Sequence, residues 1–386
     1  MTQKSIFIVA VENSADQLGA AMITALKNQS DEDINFTGIG GAAMAACGVP
    51  SLFDIRDLSI LGFAEALKSY GLVLKKVKQT VSAIMDESPD AVVLIDSWGF
   101  MVRVAKTLKK QGYKGEIIKY VAPQVWAMRE GRARILAKYV DHLLTIHSFD
   151  APYFTRHDLP TYYVGNSAFD TDYTSGNAND LSAYSAKINL DKPICALFFG
   201  SRFSELDRLW QPIQDAVAIL QSRHPQLQFI SLMSSTLEAK ITSMSMASDS
   251  QIVFLPETAK LSLFAAADMA IACSGTVTSQ LAVAGIPSVV AYKLNSMTWF
   301  AAKRLYKPSY VSLVNIAANE ALMPEYLQDD ATGENLAAEM TRLLENEGLR
   351  LGLSERLAQQ CREMRGSQGK ASERAAARVL DILAAA

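Results

Sequence analysis

Apolar runs of five or six residues recur along this chain, each bounded by small or polar residues. They alternate with stretches whose apolar positions return every three or four residues. Short runs that are apolar at consecutive positions read as strands buried on both faces, and the longer periodic stretches read as amphipathic helices. Their alternation predicts an α/β fold built on parallel sheets. In the first half, strands are expected at 5–10, 35–39, 91–96, 116–121, 142–146 and 161–164, with helices such as 16–27 and 99–111 between them. In the second half, strands recur near 194–199, 228–232, 252–254, 269–273 and 288–292, and helices near 204–222, 276–284 and 335–346. Segment 167–190, rich in Ser, Asp, Asn, Thr and Tyr, lacks clear periodicity and reads as a connection between two doubly wound domains, 1–166 and 191–348. The remaining 349–386 reads as two helices.

Two strand ends carry candidate chemistry in the second domain. Ile194 to Phe199 runs into Gly200-Ser201-Arg202, and Met269 to Cys273 runs into Ser274-Gly275-Thr276. A small-residue turn between a buried strand and a helix gathers unpaired backbone N–H groups with the positive end of the helix dipole, which suits an anion. Both are equally readable as ordinary strand-to-helix turns. In the first domain, Asp96 follows the run Val92 to Ile95. An acid directly after a buried strand faces the ligand crevice of a doubly wound sheet, or it caps the next helix.

Composition narrows the function classes. The chain has 386 residues, 49% of them hydrophobic, and a net charge of −3, which gives ample core and argues against a general nucleic-acid binder. The four cysteines, Cys47, Cys195, Cys273 and Cys361, stand far apart and read as thiols in a reducing compartment, not as a disulfide frame or zinc site. No HExxH pattern occurs among the four histidines, so no dedicated metal site is expected. The opening run 5–11 suits a first strand better than a signal peptide, and no apolar stretch reaches transmembrane length, so a cytoplasmic protein with peripheral membrane contact at most is expected. Within 63–85, Leu67, Tyr70, Leu74, Val77, Val81 and Ile84 form one helical stripe flanked by Lys68, Lys75, Lys76 and Lys78. Such a stripe is either a core face with a solvated lysine side or a surface for anionic lipid.

Several segments together resemble the lipid-A-disaccharide synthase family, GT-B-fold inverting glycosyltransferases, over nearly the whole chain. Glu12 to Gly19 resembles the family's GETSGDxxG, Phe36 to Met44 its FxGIGGPxM, and Leu58 to Leu67 its LSVMGxxEVL. Tyr120 to Ala127 matches YVSPQVWA, and Asp96 falls at the family's proposed catalytic aspartate. In the second half, Gly200-Ser201-Arg202 with Glu205 matches GSRxxE, and Ser274-Gly275-Thr276 matches the SGT of ASGTATLE. Lys303-Arg304-Leu305, Ser312 to Ile316 and Pro324 to Gln328 match KRL, SLPNI and PELLQ. This chain departs from the pattern at Val11 and Ala15, where the first loop has glycines in the family. It departs again at Phe199 for a proline, at Gln280 for the glutamate after SGT, and at Gly165-Asn166-Ser167 for GHP.

The resemblance implies two Rossmann-like domains facing a cleft, with the C-terminal helices packing back on the first. It implies transfer of 2,3-diacylglucosamine from UDP-2,3-diacylglucosamine to 2,3-diacylglucosamine 1-phosphate, with inversion and release of UDP. The UDP-sugar is a substrate, and no cofactor or metal is implied. Asp96 is the candidate base and Glu12 the alternative. Gly200, Ser201, Arg202, Ser274, Gly275, Thr276, Gln280 and Asn315 are expected at the nucleotide, with Arg202 as the diphosphate's guanidinium partner. Ser14, Asp16, Gly62, Phe63, Leu67, Leu74 and Trp126 are expected at the acceptor and its acyl chains, with Trp126 as an acceptor wall or a core anchor. The implied setting is the inner face of the inner membrane, with a homodimer as one assembly state and no nucleic-acid partner. The rival readings are an enzyme of the same fold acting on another sugar nucleotide or acceptor, such as a UDP-sugar epimerase or an undecaprenyl-type transferase, and a non-catalytic nucleotide- or lipid-binding homologue. Few histidines and little cleft acidity argue against the epimerase.

Overall fold

A computed structural model describes residues 3–59, 66–233, 237–246, 251–295, 299–300, 304–366 and 368–385. The chain divides into two compact units, one formed by Met1–Ser167 with Arg365–Ala386 and the other by Ala168–Met364.

The first unit is built on a six-stranded parallel sheet: β1 (Ser5–Ala10), β2 (Asn35–Ile39), β3 (Ala91–Ile95), β4 (Glu116–Tyr120), β5 (His142–Thr145) and β6 (Thr161–Tyr163), in the order β2-β1-β3-β4-β5-β6. Its helices include α1 (Asn13–Gln29), α2 (Ala42–Ala46), α3 (Ala66–Glu87) and α4 (Trp98–Lys110). Successive side chains of a strand point to opposite faces, and the core divides accordingly. Phe7, Val9, Val92, Leu94 and Ile117 pack with Val77, Val81 and Ile84 of α3 and Phe100, Met101 and Val104 of α4. Ile6, Ile8, Val93, Ile95 and Ile118 pack instead with Met22, Ile23 and Leu26 of α1 and with residues from the far end of the chain.

In the second unit β7 (Ile194–Phe198), β8 (Gln228–Met233), β9 (Ile252–Pro256), β10 (Met269–Cys273), β11 (Ser288–Tyr292) and β12 (Glu325–Leu327) form a second parallel sheet in the order β12-β11-β10-β7-β8-β9. Around it lie α5 (Phe203–Arg223), α6 (Thr276–Val283), α7 (Leu313–Ala318), α8 (Gly333–Glu345) and α9 (Glu347–Arg365). The last helix, α10 (Ala371–Ala385), belongs to the first unit.

Three features differ from the reading of the sequence. Segment 167–190 is more than a connection, because Phe169 and Leu181 are buried in the core of the second unit. Of the two terminal helices, α9 sends Leu357, Cys361 and Met364 into that same core, while α10 alone lays Ala375, Ala376, Val379, Ile382 and Leu383 on the first unit. β12 is an edge strand of three residues, too short for its apolar content to announce it, and it pairs with β11 through Val290 and Glu325.

The stripe along α3 splits in two. Val77, Val81 and Ile84 are buried, whereas Tyr70 and Leu74, with Leu72 beside them, stand 52%, 42% and 36% exposed. Lys76 leaves the solvated side to pair with Asp57 at 2.9 Å and to lie 4.3 Å from the Phe53 ring centroid. Gly62, Phe63 and Lys303 lie outside the described residues, as does the side chain of Leu67. Among the described residues no helix is long and apolar enough to cross a membrane.

Candidate active site

In the first unit the candidate chemistry gathers where β1, β3 and β4 end. β1 pairs with β3 and β3 with β4, so the turns after all three adjoin. Asp96 is half-buried, one residue beyond β3, with φ at 52°, and its N–H donates to the Tyr120 carbonyl at 2.9 Å. Ser97 follows at φ 36°, and Val121, at the end of the neighbouring strand, sits at φ 71°. Left-handed backbone is unfavourable for non-glycine residues and most of all for a β-branched one. Such outliers persist where the surrounding structure enforces them, often at functional sites. Ser97 is the N-cap of α4, yet its side chain makes no cap bond, and no hydrogen bond reaches the Asp96 carboxylate among the described residues. The capping explanation for Asp96 therefore fails. Its strained turn presents an uncommitted carboxylate.

Glu12 lies two residues beyond β1 at the exposed start of α1, and its side chain does not cap that helix. Ser14 is exposed in the first turn. Lys119, inside β4, escaped the sequence reading. It is only 2% exposed, and its ammonium donates to the Tyr120 carbonyl at 2.9 Å. Burial pushes it down to about 7, against the opposing pull of Asp96 and Glu12. A lysine within the apolar run Ile117-Ile118-Lys119-Tyr120 was the available signal.

Two expected acceptor residues have structural work instead. Asp16 is 4% exposed, and its carboxylate accepts from the N–H groups of Gly41 at 2.7 Å, Ala43 at 2.9 Å and Met44 at 3.1 Å. It caps α2 from another helix and has no free face for an acceptor. The close approach explains Gly41, where a Cβ would lie 2.6 Å from the carboxylate. Trp126 is a core anchor and not a wall, being 6% exposed and edge-on to Phe149 and His147 at centroid distances of 5.3 and 6.1 Å. Asp150, 1% exposed, accepts from the Thr145 hydroxyl in the same cluster, and burial raises its carboxyl to about 7. The Trp126 indole N–H lies near that carboxylate without reaching hydrogen-bond geometry. Burial lowers His147 to about 4.

The two glycine turns of the second unit are neighbours, because β7 pairs with β10. They differ in what they offer. At the first, the Glu205 carboxylate accepts from the N–H groups of Ser201 at 2.9 Å and Arg202 at 3.3 Å and from the Arg202 guanidinium at 3.1 Å. These amides are thus held by an internal carboxylate, which corrects their reading as an open anion site. Gly200, at φ 105°, makes room for it, since a Cβ there would lie 2.6 Å from Glu205. The Arg202 side chain remains 76% exposed. At the second turn, Gly275 and Thr276 are exposed at the start of α6, with no side chain capping its first amides. The Ser274 N–H is taken by the Ala291 carbonyl at 3.2 Å, and Gln280 is half-buried one helical turn on.

Asn315 is also corrected. Fully buried, its amide donates to the Met323 carbonyl at 2.6 Å and to Glu325 at 2.8 Å, and its oxygen accepts from the Met323 N–H at 2.9 Å. It fastens α7 to β12 and is committed before any nucleotide arrives. Glu325 completes this joint by accepting from the N–H groups of Val311 and Ser312 at 2.7 and 2.9 Å.

Comparison with known proteins places the chain in a family. The family model described as lipid-A-disaccharide synthetase matches residues 6–380. Lipid-A-disaccharide synthase of Paramagnetospirillum magneticum is 38% identical, over 98% of this chain and 97% of its own length. That of Rhodospirillum centenum is 35% identical, over 98% and 94%. Among solved structures, UDP-GlcNAc 2-epimerase from Neisseria meningitidis bound to UDP-GlcNAc aligns with a TM-score of 0.62 at 10% identity, over 98% of this chain and 100% of that one. A glycosyltransferase from Rickettsia africae aligns at 0.59 with 10% identity, over 99% and 98%. At such identities the likeness concerns the fold alone, which is that of GT-B enzymes. With its model matched from the first strand to the last helix, this chain belongs to the lipid-A-disaccharide synthase family.

Proposed function

We propose that this chain performs its family's reaction with Asp96 as the base, joining 2,3-diacylglucosamine from its UDP form to 2,3-diacylglucosamine 1-phosphate. The acceptor hydroxyl gives its proton to the Asp96 carboxylate as its oxygen attacks the anomeric carbon. The bond to the diphosphate breaks on the opposite face, so the configuration inverts and UDP leaves. Proton removal by a placed carboxylate and charge stabilisation at the leaving group are the two contributions such a transfer needs. The exposed Arg202 guanidinium and the uncapped first amides of α6 supply the second, without a metal. Gln280 hydrogen-bonds the nucleotide without the charge assistance that a glutamate would bring.

The observation that carries this reading is the Asp96 turn, where a carboxylate without a hydrogen-bond partner among the described residues sits on strained backbone at the end of a central strand. The exposed Tyr70, Leu72 and Leu74 of α3, with exposed Lys75 and Lys78, supply a face for the anionic inner-membrane surface where acylated substrates reside. Purified protein supplied with both diacylated sugars is expected to release UDP, and Asp96→Ala is expected to lose at least about a hundredfold in kcat, the usual worth of a general base. Equal UDP release by the variant and the parent would overturn the assignment.

A further inference from the structure

The acceptor of the proposed reaction carries a phosphate. With its positions 1, 2 and 3 substituted, the free hydroxyls lie on C4 and C6, across the sugar ring from that group. A base at Asp96 therefore calls for cations in the same unit, a ring's width from the carboxylate. The turns after β3 and β4 adjoin, and the stretch beyond β4 supplies two. Trp98, two residues past Asp96 at the start of α4, is packed against the core of the first unit. Arg132, in the short helix Gly131–Leu136, lies 5.2 Å from the centroid of its ring. The Arg132 N–H donates to the Arg129 carbonyl at 3.0 Å, so the two arginines share one turn.

That turn is built against its own charge. Arg129 is exposed at φ 58°, backbone that a glycine adopts freely and an arginine does not. Burial and the neighbouring Arg129 both hold Arg132 below its ordinary range. Glu130, the turn's one carboxylate, pairs with Arg156 instead. Among the described residues neither Arg129 nor Arg132 has an ion pair or a side-chain hydrogen bond. Nearby, Arg103 of α4 lies 5.7 Å from the ring centroid of the exposed Tyr70 of α3, so α4 also borders the apolar face. We infer that Arg132, laid on Trp98, and Arg129 beside it form the binding site for the acceptor's phosphate. A guanidinium offers phosphate oxygens a rigid donor fork, and stacking on an indole fixes its plane while leaving the N–H edge open. The inference rests on the proposed reaction, which supplies the acceptor.

The test is calorimetric binding without donor, so that no turnover is needed and the identity of the base does not enter. The probes are 2,3-diacylglucosamine 1-phosphate and 2,3-diacylglucosamine, each in neutral detergent micelles. The parent is expected to bind the phosphorylated lipid at least about tenfold more tightly, the worth of one charge-assisted hydrogen bond. Arg132→Ala and Arg129→Ala each lose about that factor for the phosphorylated lipid and nothing for the other, a coupling that a structural role would not produce. Arg134→Ala, which removes an exposed charge from the same helix, binds both lipids as the parent does. Equal affinity of the parent for the two lipids overturns the inference, as does a loss in the variants that is the same for both. If Arg132→Ala does not fold, Arg129→Ala, altered at an exposed side chain, decides alone. Weaker UDP binding in the arginine variants would assign the site to the donor, and competition by added phosphatidylglycerol would assign it to a membrane headgroup; either result overturns the inference. Full UDP release by Asp96→Ala would remove the base assignment and leave the phosphate site standing, so the two failures are distinct.

Discussion

Asp150→Asn is expected to stabilise the first unit at neutral pH although it removes a charge that accepts a hydrogen bond. Asp150 is 1% exposed among Thr145, His147 and Trp126, and burial raises its carboxyl from 3.8 to about 7. The folded chain therefore holds a proton that the unfolded chain releases, and stability falls as pH rises from 3.8 to 7. At about 1.4 kcal/mol per unit the fall is about 4 kcal/mol. His147, 7% exposed, works in the other direction. Burial lowers it from 6.5 to about 4, so the unfolded chain takes up a proton that the folded chain refuses, and stability falls as pH drops from 6.5 to 4, by about 3 kcal/mol. The two slopes oppose each other between pH 4 and 6.5, leaving the parent nearly level there. In the Asn variant only the His147 slope remains. Its advantage over the parent should be near zero at pH 4 and reach about 3 kcal/mol at pH 8, after about 1 kcal/mol is deducted for the altered bond with Thr145. Urea unfolding at several pH values, followed by tryptophan fluorescence, measures this, with Trp126 packed edge-on to His147 as the local reporter. A difference between variant and parent that does not change from pH 5 to pH 8 would refute the linkage.

Asp16→Asn should lower the stability of the first unit by about 2 kcal/mol, because three amides lose a charged acceptor. The KM for the acceptor should stay as it was, and thermal unfolding with steady-state kinetics checks both. Arg202→Ala should raise KM for the sugar nucleotide about tenfold, the value of one charge-assisted hydrogen bond, with little effect on thermal stability since its side chain is 76% exposed. A change below about twofold would take Arg202 out of the binding reading.

The long strands were readable because each is apolar at consecutive positions, as a strand covered on both faces must be. β3, Ala91–Ile95, is buried at every position. β12 was not readable, since three residues carry too little pattern and its Glu325 is kept in place by Val311, Ser312 and Asn315, whose pairing with it no periodicity announces. The site residues divide on similar grounds. A position after a strand marks Asp96 whatever else the chain does. Asp16, Asn315 and Glu205 instead show the limit of pattern, because a carboxylate or amide facing a ligand and one satisfying backbone amides are the same letters. Only three-dimensional neighbours separate them: Gly41 for Asp16, Met323 for Asn315 and Ser201 for Glu205.

Because α10 closes a face of the first unit with Val379, Ile382 and Leu383, that unit is assembled from two distant stretches of polypeptide with the entire second unit inserted between them. During translation, Met22, Ile23 and Leu26 of α1 lack their α10 partners until all the intervening chain, the whole of Ala168–Met364 included, has left the ribosome. The second unit, contiguous in sequence, is free to mature first. A fragment ending at residue 167 would therefore keep a sticky, unfinished flank, and nascent chains stalled late in synthesis are natural clients for chaperones.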